Sequence, residues 1–529
     1  MKPTSILNDV VGPVMHGPSS SHTAASNRIG LLARSLLGEP PVQAAIIFDR
    51  HGSYAQVYKQ QGSDLAFACG LLGWELTDPR FFAALGLAPA QKLEIRFKLG
   101  KLSGPSHPNT VELNLSGQTG KQIRLLAQSV GGGAFRLVEL EGWSLEMDGQ
   151  AHEVVVLTKP EYVDSVLEAA AAEGQLVQSP LILNQGLQTL VQVRRRTGLD
   201  PQAASELKAS RFVDGYWTAE PLLFVIQGQP LFEGVESLTT WTRQQRVSLG
   251  EAALRYEQEL LGLSREEVVS QMAARWEIMQ SAVAQGLAES RELPDMHVLQ
   301  PSAHKVFQAE ARGELALGGT AARAAARTLA VMEVNSAMGL VCAAPTGGSC
   351  GVLPGALSTL AQEKNLDPDR IIKALFAAGA VGLIFLWQGG TFAAEVAGCQ
   401  VEIGLAGAMA AAAVVEAVGG SAGQACQAAA IALQNTVGLV CDPVQGAVEV
   451  PCHTRNAAAA ASAFVCADLI LGGYENPIPL DQTVDASLAV GCSLPAELRC
   501  TACGGLAVTP AAKALGPGPS SNPADPNNG

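Results

Sequence analysis

Three cysteines raise the question of chemistry in this 529-residue chain. Cys399 stands in "GCQVEIG", Cys441 in "VCDPVQG" and Cys452 in "VPCHTRN", each within an almost uncharged, Ala/Gly-rich stretch. Pro443 and Pro451 bracket a short loop, so Cys441 and Cys452 can converge across it, while Cys399 has to arrive from another helix end. Thiolates are the ligands of Fe–S clusters, ordinarily four per cluster. Three would leave one iron open to water or a substrate, as a catalytic zinc site keeps one position open. Free cysteine is also among the most buried residue types, so on spacing alone inert packing is the first reading for any one of them. There are 11 cysteines in all; Cys69 is the single one in the first 340 residues and ten follow. An odd, irregularly spaced and clustered set in a cytosolic chain suggests metal or redox chemistry rather than disulfides.

Other residues with chemical potential flank these. In "HGPSSSHT", Ser19, Ser20 and Ser21 precede His22 and Thr23. Hydroxyls and backbone N–H groups there suit a carboxylate, especially if a helix begins near Thr23, and His22 titrates near neutrality and can exchange protons. The same residues would also serve as a plain helix-capping loop with a surface histidine. "APTGGSCGVLP" is a second Gly-rich loop whose Thr346, Ser349 and neighbouring amides suit a carboxylate or an amine, with Asn335 and Ser336 as candidates for lining the same cavity. Arg455 is either a cationic clamp for a carboxylate or part of a helix cap. His453, beside a candidate ligand, is read as supporting that ligand rather than reacting.

The elements that must position these groups fall into three blocks and a tail. Residues 1–150 hold alternating segments such as "KLEIRFKL" and "TVELNLSG", with helical stretches such as "SHTAASNRIGLLARSLLG". Period-two alternation punctuated by Gly and Pro signals half-buried strands, so this block is α/β. Residues 151–232 read as βαββαβ: strand "HEVVVLT", helix "PEYVDSVLEAAAAEG" ended by Gly174, strands "LVQSPLIL" and "LQTLVQVRRR", helix "DPQAASELKAS" and closing strand "PLLFVIQG". That order belongs to small ferredoxin-like modules. Residues 233–515 are helical and poor in charge, with Ser264 and Arg265-Glu266-Glu267 as a helix start. Helices apolar on all sides are buried by other helices, so a large all-α domain is expected. Residues 516–529, "GPGPSSNPADPNNG", are expected to be disordered. The fold class is therefore multidomain α+β.

Bulk properties bound the function. The hydrophobic fraction is 48% and the charged fraction 16%, ample for large cores. A formal charge of −14 argues against a nucleic-acid partner, which needs clustered Lys and Arg. The opening residues lack the apolar core of a secretory leader. Residues 374–394 are uncharged and long enough to span a bilayer, but Gln388-Gly389-Gly390 interrupts the run, and a buried helix is the better reading. A cytoplasmic, membrane-free protein is expected; a homodimer is a separate expectation, which composition does not supply.

Several segments together carry a resemblance. "AVMEVNSAMGLVCAAPTGGSCGVLPGAL", "GCQVEIGLAGAMAAAA", "GLVCDPVQGAVEVPCHTRNA" and "LPAELRCTACGGLAVTP" resemble the iron–sulfur-dependent L-serine dehydratases. "GPVMHGPSSSHTAASNRIG", "GSYAQVY", "GSDLAFACGLLG", "SHPNTVEL" and "SVGGGAFRLVELEG" resemble the family's second, beta-type module, in the order found when both modules are fused. Residues 151–232 resemble, more weakly, an ACT regulatory domain, although the family's Asp-x-Pro-Gly turn is replaced by "TKPEYV". The resemblance implies a [4Fe–4S] cluster held by Cys399, Cys441 and Cys452, an L-serine substrate, and a Lewis-acid-assisted dehydration giving pyruvate and ammonia. It implies catalytic roles for His22, Ser21 and Thr23, and substrate binding by Ser19, Ser20, Thr346, Ser349, Asn335 and Arg455. Cys350 is then a small neighbour rather than a ligand, because one iron must stay open. Cys492, Cys500 and Cys503 are packing residues by default, although any of them is placed to serve the cluster.

One departure matters. Many relatives carry a histidine in a Gly-His-(Gly/His)-Thr-Asp segment; here "KQQGSD" puts Gln61 in its place and keeps Asp64. His51 in "DRHGSY" is the candidate to compensate. The departure leaves open the same chemistry on L-threonine or L-cysteine, since a pocket discriminates one methyl only weakly, and a decayed, small-molecule-binding regulatory protein. A pyridoxal-dependent dehydratase lacks a recognisable Schiff-base lysine.

Overall fold

The computed structural model describes residues 3–102, 107–171, 175–290 and 296–515. The expected tail, the turn around Gly174 and the first residue of "SHPNTVEL" lie outside the described residues.

Alternating apolar residues in the first block do build a sheet. Its six strands run Glu94–Gly100, Pro41–Asp49, Thr110–Gly117, Gln122–Gly131, Ala134–Leu140 and Trp143–Met147, in that spatial order. The first pair is parallel and the others are antiparallel. Val111, Leu113 and Leu115 point to one face, where they meet Ile29, Leu32 and Leu36 of the helix Ala24–Leu37. Strand periodicity of two thus meets helix periodicity near 3.6 across one core.

The second block is a four-stranded antiparallel sheet ordered Gly215–Ala219, His152–Thr158, Gln188–Arg195, Leu181–Gln185. Its helices are Val163–Ala170 and Pro201–Ala209, so the chain order is βαββαβ. Asp200 caps the second helix by accepting from Gln202 N–H and Ala203 N–H. The closing strand is Gly215–Ala219 and not the apolar run "PLLFVIQG". That run finds other partners: Leu222 and Leu223 N–H donate to Gly149 O, Phe224 N–H donates to Asn8 Oδ1, and Gln227 and Gly228 N–H donate to Leu260 O. Its side chains seal the seam to the helical block, which explains an apolar sequence without a strand.

The third block is helical around one buried helix, Ile403–Ala417, every residue of which is buried. Pro368–Trp387, Ala422–Gln434 and Cys452–Leu471 pack around it. Alanine at most contact positions lets the backbones approach closely without voids. The helix Arg265–Leu287 starts where the sequence places it, with a full capping box between Ser264 and Glu267. Among the described residues two helices are long and apolar enough to cross a membrane; their windows are 83% and 94% buried inside the protein, as core helices are. The domain is not purely helical. Leu340–Cys342 is a short strand, and it pairs antiparallel with Val14–His16 of the first block. The expectation of an all-α block fails there because the partner strand is more than 300 residues away in sequence, beyond any local signal.

The N-terminal residues also leave their own block. Ile6, Leu7, Val10 and Val11 belong to the helical core. Glu257 accepts from Ile6 N–H and Leu7 N–H at 2.9 Å each and from the Ser5 hydroxyl. Arg275 donates to Val11 O at 2.7 Å and Leu7 O at 3.1 Å. The segment carrying Ser19–Thr23 is thereby fastened to the helical block at its root.

Candidate active site

The cysteines sit at three chain reversals. Cys399 opens the short 3-10 turn Cys399–Val401 just before the central helix. Cys441 is extended and bridges in parallel to Arg499, and Cys452 is the first residue of the helix Cys452–Leu471. All three are buried and none is in a disulfide. The thiols of Cys399 and Cys441 and the carboxylate of Glu402 lie within 4.8 Å of one another. Cys399 is held below the usual thiol range, first by the hydrogen bond from Cys441 and then by the Arg455 guanidinium. Cys441 is pushed well up by its hydrogen bonds with Cys399 and Cys500, and burial adds to the effect. Burial, then the negative charges at Cys399 and Glu402, push Cys452 up as well. Cys441, Cys452 and the Glu402 carboxyl resist ionisation in this dry interior while Cys399 gives up its proton more readily, and a bound cation relieves that resistance. This donor set fits a sulfur-ligated metal group.

Cys500 is a fourth thiol in this group, hydrogen-bonded to Cys441. Cys441 N–H donates to Leu498 O and Cys500 N–H donates to Cys441 O, which ties the C-terminal segment to the cysteine loop. Its packing reading from sequence overlooked this pairing, because no local pattern links residues 441 and 500. Cys492 and Cys503 are exposed. Cys350 is buried with its sulfur 4.0 Å from Met332 Sδ, packed among apolar side chains.

Ser19–Thr23 folds over the helical block. Ser20 Oγ accepts from Gly347 N–H at 3.2 Å, and Asn335 Nδ2 donates to Pro18 O at 2.9 Å. Gly17 is required for this approach, because a Cβ there would stand 1.9 Å from Asn335 O. Thr23 Oγ1 donates to His16 O and Ser19 O rather than capping the helix that starts at Ala24. Ser21 O accepts from the Tyr54 hydroxyl. His22 is fully buried, which corrects the surface-histidine alternative. Its Nδ1 lies 3.1 Å from Ser19 Oγ, its ring meets Tyr54 edge-on at 5.1 Å, and its Nε2 is buried with no partner. Burial pushes its pKa down to about 3, so the ring is neutral at pH 7.

Thr346 and Ser349 face each other at 3.1 Å in a capping box. The next residues join the site: Gly348 O accepts from Asn456 Nδ2 at 2.9 Å, and Thr346 hydrogen-bonds to Glu402. Asn335 Oδ1 and Asn456 Oδ1 are buried with no partner, as His22 Nε2 is. Buried polar atoms are normally paired, so these three, on the Ser19–Thr23 loop and the helices near it, are candidates for binding a polar group. Arg455 is engaged, donating to Val440 O at 2.8 Å and pairing with Asp442 at 3.0 Å. It braces the cysteine loop instead of standing free as a clamp. His453 Nε2 lies 2.9 Å from Ser336 Oγ, which donates to Val448 O.

Gln61 and His51 answer the departure noted in the sequence. Gln61 is buried and its Nε2 donates to Gly446 O, inside the loop between Cys441 and Cys452. The histidine's place is therefore next to the cysteine loop but holds a non-titrating amide. His51 is exposed, in a turn where its N–H donates to Asp49, and it does not join the residues around the thiols. Glu402 and Glu395 were not singled out by sequence reasoning. Both are pushed up by burial, and Glu395 accepts from Asn109 Nδ2 at 3.2 Å. Their signal was a carboxyl surviving in a nearly uncharged stretch next to a ligand candidate.

A family model described as "Serine dehydratase alpha chain" matches residues 244–507. The "Probable L-serine dehydratase, alpha chain" of Bacillus subtilis is 37% identical over 286 residues, covering 54% of this chain and 94% of that protein. The chain belongs to the L-serine dehydratase family. An "L-serine dehydratase, alpha chain" from Peptoniphilus asaccharolyticus is 37% identical over 244 residues, 46% of this chain and 83% of that one. The "Probable L-serine dehydratase, beta chain" of Bacillus subtilis is 40% identical over 157 residues, 30% of this chain and 69% of that protein. This one chain therefore has counterparts to both the alpha and the beta chains of the family.

Proposed function

We propose that this chain is an iron–sulfur L-serine ammonia-lyase, a lyase that converts L-serine to pyruvate and ammonia. The observation that carries the reading is the close approach of the Cys399 and Cys441 thiols to Glu402, with the buried Cys452 thiol electrostatically linked to Cys399, in a chain whose relatives are named for serine dehydration. In this reading Cys399, Cys441 and Cys452 hold a [4Fe–4S] cluster. When bound, it supplies an open Lewis-acid position for the oxygens of the substrate, which makes hydroxide a better leaving group.

The rest is the work of the chain. Ser19, Ser20, Thr346 and Ser349 bind the substrate through hydroxyls and nearby N–H groups, with Asn335 holding the loop against the helical block. His22 handles the proton. With its Nδ1–H donating to Ser19 Oγ, its Nε2 lone pair is left without a protein partner and is the proton acceptor in this reading. Arg455 keeps the thiol loop in place. Loss of water leaves an enamine, whose imine tautomer hydrolyses to keto acid and ammonia. Residues 1–150 act as the beta-type module and residues 151–232 as an ACT-like effector module, in a homodimer.

The test is preparation without oxygen, counting of iron and sulfide, and assay of keto-acid release from L-serine, L-threonine and L-cysteine. Pyruvate from L-serine by a brown, iron-loaded protein is the expected result. A colourless, iron-free protein with full activity overturns it.

A further inference from the structure

Glu402 is a carboxyl beside the thiols to which the roles above give no task. It directly precedes the buried helix Ile403–Ala417, and its carboxylate shares the 4.8 Å group with Cys399 and Cys441. It is partly buried and keeps some accessible surface. The Gly-rich loop runs beside it. A Cβ on Gly348 would stand 3.6 Å from each Glu402 carboxylate oxygen, and the residue before it donates its N–H to Ser20 Oγ.

The neighbouring acids are already engaged. Glu395 accepts from Asn109, Asp442 pairs with Arg455 and accepts from Leu506 N–H, and Glu449 accepts from His297, Val298 and Leu299 N–H. Among the described residues no cation pairs with Glu402, and Thr346 is its hydrogen-bonding side chain. A carboxylate has about four acceptor positions, so most of its capacity is left for a bound group. An α-amino acid brings a carboxylate and an ammonium to this site. The serine hydroxyls and N–H groups of the two loops suit its carboxylate; an ammonium, with three donors and a positive charge, needs an acidic acceptor.

We propose that Glu402 binds the α-ammonium group of the amino-acid substrate and is the residue by which this site selects amino acids over the corresponding hydroxy acids. The inference rests on the lyase reading of the same site. Glu402 orients the substrate by its nitrogen, leaving its hydroxyl and α-carbon toward the thiols and His22.

The experiment uses the holoenzyme, purified without oxygen, as the wild type and as Glu402→Gln. Each is analysed for iron and sulfide, then titrated calorimetrically with two unreactive probes. L-alanine has the ammonium and no leaving hydroxyl; 3-hydroxypropionate has the hydroxyl and no ammonium. In Glu402→Gln the iron content stays at the wild-type level and L-alanine binds roughly 10-fold or more weaker, as loss of a charged hydrogen bond requires, while 3-hydroxypropionate stays within about twofold. Unchanged L-alanine binding, or an equal loss for both probes, overturns the proposal. Loss of iron in Glu402→Gln also overturns it and makes Glu402 a ligand instead. If Glu402→Gln does not fold, Glu402→Asp carries the same comparison, with the same selective loss expected and the same outcomes against it. A wild type that is iron-free, paired with a selective loss in the variant, sinks the lyase reading and spares Glu402; an iron-loaded, pyruvate-releasing wild type with an unselective variant does the reverse.

Discussion

At the scale of the residue, the thiols and His22 carry opposite demands on the same dry interior. The thiols need a cation to ionise together, so removing one donor removes the compensation. Cys441→Ala is expected to lose both iron and keto-acid release, measured by metal analysis and pyruvate assay on anaerobic protein; full iron content in that variant counts against the ligand assignment. His22 is kept neutral by burial. His22→Gln keeps the iron and lowers kcat by about 10²–10⁴-fold, the usual range for a lost acid–base group. The same burial makes the protein acid-sensitive. Below pH 6.5 an unfolded chain protonates this histidine, while the folded chain does not until about pH 3. The unfolded state thus binds more protons in that window, and stability is complete above 6.5 and falls as the pH drops. Between pH 6.5 and 5 the loss is about 2 kcal/mol from this group. Denaturation midpoints of wild type and His22→Gln at the two pH values measure it; the variant's midpoint is expected to change less.

At the scale of the element, the loop and the helix Thr320–Ser336 meet with no spare volume. Gly17 leaves no room for a methyl group against the Asn335 backbone. Gly17→Ala is expected to push Ser19–His22 away from Gly347, destabilising the protein by about 1–3 kcal/mol and lowering activity more than iron content. Thermal denaturation and iron counts on one preparation check both halves. A parallel device is the glycine run after Gln122–Gly131. Gly131 takes a φ of +100°, and a Cβ there would lie 2.6 Å from Ala393 N, so the first block can lay its strand end on the segment leading to Glu395. Thr391 completes that contact by donating to Val130 O.

At the scale of the molecule, the site is a seam. One side comes from the first block and the other from the helical block, and three things hold it shut: the Val14–His16 strand paired to Leu340–Cys342, the Glu257 and Arg275 clasp on residues 5–11, and Gln61 on the cysteine loop. Contacts of this extent form without a covalent link. Cutting the chain near residue 230, in the stretch between the second sheet and the helix Val235–Gln245, and co-expressing the pieces is expected to give a complex that copurifies and keeps its iron. Pieces that separate on gel filtration would show that the link itself holds the seam. Relatives named as separate alpha and beta chains are consistent with that expectation.

Local pattern was enough for much of this. Strand alternation, capping residues and Ala-rich helices made the three kinds of block legible, because hydrophobic periodicity and cap chemistry act over a few residues. The cysteine trio and the serine–histidine loop were legible as chemistry for the same reason, as residue types that stand out in their surroundings. What the tertiary structure alone decided was proximity. The burial of His22, the engagement of Arg455, the exposure of His51, the fourth thiol at Cys500 and the place of Glu402 all depend on contacts between segments tens to hundreds of residues apart. The strand Leu340–Cys342 and the coil at 221–228 belong with them, since each takes its conformation from backbone partners supplied by a distant part of the chain. Desolvation and hydrogen-bond pairing are properties of the packed surroundings, and no window of sequence contains them.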